Sequence, residues 1–72
     1  MEALAPTVLW RMFRTGREHA RAVLLPGGPP FILALFANEQ MDRAEHYDTM
    51  DLAVFRANDI KRSLAADGWS DE

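Results

Sequence analysis

The protein has 72 residues, of which 49% are hydrophobic and none is cysteine, and its formal net charge is −3. The lack of cysteine excludes disulfides and thiolate zinc sites, and the length leaves no room for a second hydrophobic core. The acidic balance argues against general binding of nucleic acid, because duplex binding depends on neutralising phosphates. We therefore expect one domain over residues 1–72.

The small size predicts that this domain needs additional stabilisation. A chain of this length buries only about 60% of the surface that its unfolded form exposes. With disulfides and thiolate-bound metals excluded, oligomerisation is the remaining common source of stability. Residues 1–37 carry four Arg and two Glu, whereas residues 38–72 carry four basic and nine acidic side chains. The basic half can therefore meet the acidic half of a second copy.

The first predicted element is a β-hairpin. Residues 7–14 are rich in β-branched and aromatic side chains, which is typical of a strand, and residues 19–25 form the returning strand. Thr15-Gly16 is predicted to be the centre of a two-residue turn, because glycine readily adopts positive φ.

A two-residue turn determines which side chains share a face of the hairpin. One face then carries Leu9, Arg11, Phe13, Glu18, Ala20, Ala22 and Leu24. The other carries Val8, Trp10, Met12, His19, Arg21 and Val23. Because the two alanines leave space for a helix, we expect the helix on the first face and Trp10 on the second.

The middle of the chain predicts a loop and then a central strand. Residues 26–30 read Pro-Gly-Gly-Pro-Pro, which neither a strand nor a helix accepts. Residues 31–37 are apolar on both faces, as in a strand that is buried on both sides. Since one helix covers only one side of a sheet, the other side is either exposed or buried against a partner.

Residues 41–46 favour a short polar fourth strand, although their composition also suits a helix. In that alternative, one helix runs over residues 39–67 and the sheet has three strands. The apolar residues of such a helix recur every three positions and drift around its axis, so they give no single buried face. We therefore favour a strand over 41–46 followed by a helix over 49–67.

The helix over 49–67 has a predicted start and end. Asp48 suits the N-cap position, where a side-chain oxygen accepts a hydrogen bond from a free N–H of the first turn. Gly68 suits the position just after the helix, where positive φ is needed, and Trp69 is expected to pack back on Leu64.

The apolar residues of this helix predict both a core and an exposed patch. The core stripe contains Met50, Ala53, Val54, Ala57, Ile60 and Leu64. Leu52 and Phe55 lie outside the stripe, and together with Trp10 they are the candidate interface residues. In the core itself we expect Phe13, Leu24, Ile60 and Leu64 to be buried together between sheet and helix.

The first hairpin is the candidate binding site, because it concentrates basic residues beside an aromatic one. Arg21 lies opposite Trp10 in the predicted register, which favours a cation–π contact. One interpretation is an anion or nucleic-acid site, and the other is a solvated hairpin whose arginines shield an aromatic ring. The residues concerned are Trp10, Arg11, Arg14, Arg17 and Arg21.

The sequence contains no pattern that predicts catalysis, a metal site or a cofactor. His19 and His46 are the only histidines and are not spaced as ligands on one helix. A nucleophilic serine needs a base such as histidine, and neither Ser63 nor Ser70 has a histidine beside it in the sequence. We therefore expect a protein that is not an enzyme and that holds no metal or cofactor.

The order of segments in this sequence is similar to that of a known group of proteins: residues 10–17 (WRMFRTGR), residues 20–26 (ARAVLLP), an apolar strand, and a helix that closes in Asp67-Gly68-Trp69. In these stretches the chain resembles small uncharacterised bacterial proteins with a β-meander followed by a C-terminal helix that ends in Gly-Trp. The resemblance covers nearly the whole chain. It implies a bacterial origin and this fold, and it implies no functional residues.

The sequence therefore predicts an α+β fold, with an antiparallel four-stranded meander (three strands in the alternative) and one C-terminal helix on one face. The apolar run over residues 31–37 is far shorter than the roughly 20 residues that span a bilayer, so we expect no membrane contact and a cytoplasmic location. The expected function is a non-enzymatic protein-interaction or self-associating module, with a homodimer or another protein as its partner. Anion or nucleic-acid binding through the arginine hairpin is the alternative.

Overall fold

The computed structural model describes residues 5–72, which form one antiparallel sheet and one helix. The elements are β1 (Thr7–Arg14), β2 (Glu18–Leu24), β3 (Phe31–Ala37), β4 (Gln40–Tyr47), α1 (Met50–Ala66) and β5 (Ser70–Asp71). The strand order is β4-β3-β2-β1-β5. The predicted α+β meander with its C-terminal helix is confirmed, and β5 is an additional strand. Within residues 5–72, no helix combines the length and the apolar character needed to cross a membrane.

The β1–β2 hairpin has a three-residue turn, and the predicted two-residue turn is wrong. Arg14 pairs with Glu18, and both Gly16 and Arg17 adopt positive φ, at 87° and 67°. A turn of this length commonly ends in a left-handed residue. The additional residue shifts the register by one over residues 10–14, which turns these side chains to the other face relative to β2. A bulge between Val8 and Trp10 absorbs the shift, so Val8 lies opposite Val23 as in the predicted register.

The shifted register places Trp10, and not Phe13, under the helix. Trp10 is 6% exposed, and its Nε1 donates a hydrogen bond of 2.8 Å to the carbonyl oxygen of Ala57. Phe13 is 42% exposed on the opposite side, so its predicted burial is wrong. The buried core cluster contains Trp10, Met12, Ala22, Leu33, Leu35 and Ala57.

The other predicted core residues lie on the helix side of the molecule. Leu24 is buried, and Ile60 and Leu64 pack against the core cluster while remaining partly exposed. Met50, the first residue of α1, is half exposed, so its place in the core stripe is wrong. The buried part of the stripe begins one turn later, at Ala53.

Residues 40–47 form a strand, which excludes the single long helix over residues 39–67. β3 and β4 are joined by Asn38 and Glu39, both with positive φ, as in the tight turn typical of two-residue hairpins. The side-chain oxygen of Asn38 accepts a hydrogen bond of 2.9 Å from the backbone N–H of His19, and its own backbone N–H donates to the carbonyl of His19. This turn is therefore tied to the start of β2.

Both ends of α1 have capping interactions. Thr49 is the N-cap, and its hydroxyl accepts a hydrogen bond of 3.2 Å from the backbone N–H of Leu52. The predicted N-cap, Asp48, is wrong by one residue. Asp and Thr both suit this position, so the sequence does not distinguish Asp48 from Thr49. At the other end Gly68 has φ 97°, and the N–H of Trp69 donates to the carbonyl of Leu64, which confirms the predicted helix end.

After the helix the chain returns to the sheet and forms β5. Ser70 and Asp71 pair with Phe13 and Met12 at the edge of β1. The carboxylate of Asp71 lies 3.0 Å from Nζ of Lys61, which joins this strand to the helix. β5 was not predicted from the sequence, because two polar residues give no periodic signal.

Candidate functional site

The helix packs on one face of the sheet, and among residues 5–72 no helix or strand packs on the other. We call this second side the open face. Two of its members, Val23 and Ala34, are already buried among their neighbours. By strand register the open face comprises Val8, Arg11, Phe13, His19, Arg21, Val23, Ile32, Ala34, Phe36, Met41, Ala44 and His46.

Large apolar side chains are exposed on the open face. Phe13 and Met41 are 42% and 53% exposed, Val8 is also exposed, and Ile32 and Phe36 are partly buried. As expected, α1 covers one side of the apolar strand over residues 31–37, and among residues 5–72 no helix covers the other side. Exposed apolar side chains on one surface are typical of an interaction site.

A shallow pocket of about 470 Å³ lies on the open face. The guanidinium of Arg21 stacks over the ring of Phe36 at 4.2 Å, and its Nη1 lies 3.0 Å from Oε1 of Glu39. The predicted cation–π contact of Arg21 with Trp10 is therefore wrong, because Trp10 is on the helix side. The pocket is lined by Arg11, His19, Ala20, Arg21, Phe36, Asn38, Glu39 and Glu72.

The charges around this pocket are of both signs. Arg11 lies directly opposite Arg21 in the β1–β2 ladder, and among residues 5–72 it has no carboxylate within ion-pair distance. Nδ1 of His19 lies 3.1 Å from Oε2 of Glu72. Two arginines thus face two carboxylates, of Glu39 and Glu72, so the pocket is nearly neutral when His19 is uncharged.

The structure separates the residues of the predicted arginine site. Arg11 and Arg21 share the open face, whereas Arg17 is part of the β1–β2 turn. Arg14 lies on the helix side, where it pairs with Glu18 and stacks over the ring of Trp69 at 4.9 Å. The predicted cluster is therefore reduced to one pair of arginines on the open face.

The predicted interface residues are also separated. Leu52 and Phe55 are 52% and 67% exposed on α1, as expected for residues outside the buried stripe. Because α1 packs on the side opposite the open face, these two residues belong to another surface. Trp10 is buried and hydrogen-bonded to Ala57, so it belongs to neither.

A polar cluster connects β4 to α1 on the helix side. The hydroxyl of Tyr47 donates a hydrogen bond of 2.6 Å to Glu45, and Nε of Arg56 donates to the same carboxylate at 3.2 Å. These hydrogen bonds, that of Tyr47 first, lower the pKa of Glu45, with burial opposing them. The hydrogen bond to Glu45, helped by burial, raises the pKa of Tyr47. The cluster therefore holds a charged carboxylate that links sheet and helix.

Most open-face residues were missing from the predicted site, among them Phe13, His19, Phe36 and Met41. The signal that could have found them is the alternation of side chains continued across neighbouring strands, which requires the correct turn length. Among residues 5–72, no group of three or more His, Cys, Asp or Glu side chains is placed to hold a metal ion.

Comparisons of this chain with protein-family models, with curated proteins and with solved structures found no match. The geometry and charge of the described residues remain as grounds for choosing a candidate site. On those grounds the open face is the principal candidate, since it combines exposed apolar side chains with the arginine pair Arg11 and Arg21.

Proposed function

We propose that the protein is a non-enzymatic, self-associating interaction module that binds a second copy through the open face. The supporting observation is that one helix packs on a five-stranded sheet and leaves the other side of the sheet with exposed apolar side chains. Burying such side chains is favourable by about 25 cal/mol per Å² of apolar surface. Association therefore provides the stabilisation that so short a chain otherwise lacks.

The charges on the open face favour a second copy over a partner of a single charge. Arg11 and Arg21 lie on the same surface as Glu39 and Glu72. Two copies related by a two-fold axis can place arginines of one against carboxylates of the other, because the same patch faces itself. A purely anionic partner instead meets two carboxylates, which repel it.

The proposal is tested by measuring the molar mass in solution. Light scattering after size exclusion, at tens of micromolar protein, should give the mass of more than one chain. Phe13→Glu replaces an exposed aromatic side chain of the open face with a charge, so it should weaken the contact at least about tenfold, as loss of an apolar anchor does. Phe55→Glu is the matched control, since it makes the same change on the helix and should leave the mass unchanged.

Two results would contradict the open-face proposal. One is a wild-type mass of a single chain over the whole concentration range. The other is an equal effect of Phe13→Glu and Phe55→Glu, which would show that the open face is not special. Circular dichroism of each variant shows whether it is folded, so that only the masses of folded proteins are compared.

A second candidate function is anion binding, and the observation that favours it is the direct pairing of Arg11 with Arg21. Two arginines on one face can share a phosphate, which Arg binds with bidentate geometry. Salt-sensitive retention on heparin that is lost in Arg11→Gln, and kept in Arg62→Gln on the helix, would favour this function. Retention that is equal in both variants would exclude it for this site.

A further inference from the structure

β4 lies at one end of the sheet and has an unpaired edge. In the strand order β4-β3-β2-β1-β5 it pairs with β3 on one side, and among residues 5–72 no strand pairs with its other side. It has eight residues, and most of them are exposed. At the opposite end the sheet finishes in β5, which has two residues. An eight-residue edge offers a row of free backbone N–H and C=O groups for pairing with another strand.

The charges of β4 are arranged in opposite order on the two sides of Ala44. Arg43 and Glu45 flank it directly, and Asp42 and His46 are the next residues outward. In an antiparallel pair of β4 strands centred on Ala44, each Arg43 therefore lies opposite a Glu45 of the other copy. Each Asp42 falls near a His46 at the next position, although a bulge in β4 at Asp42 loosens the pairing there.

Three neighbouring registers place like charges opposite each other. A pair centred on Arg43 brings Arg43 against itself, and one centred on Glu45 brings Glu45 against itself. A shift of half a step towards Arg43 puts Asp42 opposite Glu45. Since opposite charges across an antiparallel pair stabilise it and like charges destabilise it, only the register centred on Ala44 is favourable among these.

We infer that β4 pairs antiparallel with β4 of a second copy, in the register centred on Ala44. Charged residues on an edge strand usually prevent pairing with other chains. In β4 their order instead permits a self-complementary register and opposes the registers centred on Arg43 and on Glu45. The inference does not rest on open-face association, because it uses the backbone edge of β4, whereas open-face association uses side chains on one face of the sheet.

The side chains that meet in this pairing are available for it. Arg43 is half exposed, and its Nε lies 3.5 Å from Oε2 of Glu45 in the same chain, which is longer than an ordinary hydrogen bond. Oε1 of Glu45 is the oxygen that Tyr47 and Arg56 contact. Oε2 therefore remains able to accept a hydrogen bond from Arg43 of the other copy.

The pairing has a defined geometry. Its two-fold axis runs perpendicular to the sheet through the midpoint between the two Ala44 residues, so the sheets of both copies join into one. Both helices lie on the same side of the joined sheet, and both open faces lie on the other side. Edge pairing thus doubles the surface that the open face presents.

The absence of cysteine allows a direct test by site-specific cross-linking. In the Phe13→Glu background, which disables the open face, Ala44→Cys should form a disulfide-linked dimer under mild oxidation. Directly opposite residues in antiparallel strands are about 4.5–5.5 Å apart, within the range that a disulfide accepts. His46→Cys is the control on the same strand, because the two copies of residue 46 would lie about 13 Å apart along it.

A charge reversal provides the second measurement. Arg43→Glu in the same background puts Glu opposite Glu45 at both ends of the pair, so the dissociation constant should rise about tenfold or more. Arg62→Glu, the same change on an exposed helix position, should leave it unchanged. The inference would be overturned if Ala44→Cys links no faster than His46→Cys, or if the two charge reversals have equal effects.

The open-face contact and the β4 edge contact predict different results for these variants. If only the edge contact exists, Phe13→Glu leaves the molar mass unchanged and Ala44→Cys still links. If only the open-face contact exists, Phe13→Glu gives single chains and Ala44→Cys does not link in that background.

Discussion

Replacing Trp10 with Phe should lower the free energy of unfolding by about 2 kcal/mol, because it removes a buried hydrogen bond and part of the core packing. The indole is 6% exposed, and its Nε1 donates a hydrogen bond of 2.8 Å to the carbonyl of Ala57, within α1. Phe keeps an aromatic ring but has no donor, and the lost hydrogen bond is worth about 1 kcal/mol. The smaller ring also leaves unfilled space in the core, which costs about 1 kcal/mol more.

Urea unfolding followed by circular dichroism measures this effect. For a small domain the free energy falls by about 1 kcal/mol per molar urea, so the midpoint should move down by about 2 M. Trp69→Phe is the control, since Trp69 lies at the margin of the core and its contact with Arg14 is through the ring face, which Phe retains. A midpoint shift for Trp10→Phe no larger than for Trp69→Phe would refute the role assigned to the hydrogen bond.

Two further predictions concern stability. Gly68→Ala should lower the free energy of unfolding by about 1 kcal/mol in the same assay, because Gly68 has φ 97° and alanine is strained there; an unchanged midpoint would contradict this helix end. The pKa of Glu45 in the folded protein is below its ordinary value of 4.5, so its ionised form stabilises the fold at neutral pH. That stabilisation should be lost as pH falls from the ordinary value through the folded one, and Glu45→Gln should remove this part of the acid dependence of the midpoint. A variant with the same dependence as wild type would show that Glu45 does not contribute.

Local signals in the sequence were sufficient to predict the end of α1 and the approximate positions of the strands. Gly68 and the spacing of Leu64 and Trp69 predict the end of α1, because all the groups involved lie within one turn of each other. The same holds for the loop over residues 26–30. Elements of this kind are decided by near neighbours in the chain, so one sequence is enough.

A single turn residue decides which side chains of β1 lie on which face of the sheet, and the sequence does not show whether that residue belongs to the turn. Arg17 adopts φ 67°, and nothing in its chemistry distinguishes a two-residue from a three-residue turn. That one position exchanged the roles of Trp10 and Phe13. It also brought Arg11 opposite Arg21, a pairing that the predicted register does not contain. The sequence therefore predicts that arginines concentrate in the first hairpin. Which of them share a face could be decided only from the register of β1 and β2.

β5 has a consequence for the order in which the protein folds. The two hairpins join neighbouring parts of the chain and can form in microseconds, because only short loops have to close. β5 instead pairs Ser70 with Phe13, and the backbone N–H of Glu72 donates to the carbonyl of Arg11, so it connects nearly opposite ends of the described chain. Contacts between such distant residues form slowly because of the entropy lost on closing the long loop. We therefore expect the amide protons of β5 to be protected from hydrogen exchange last, after the sheet has formed and α1 has docked on it.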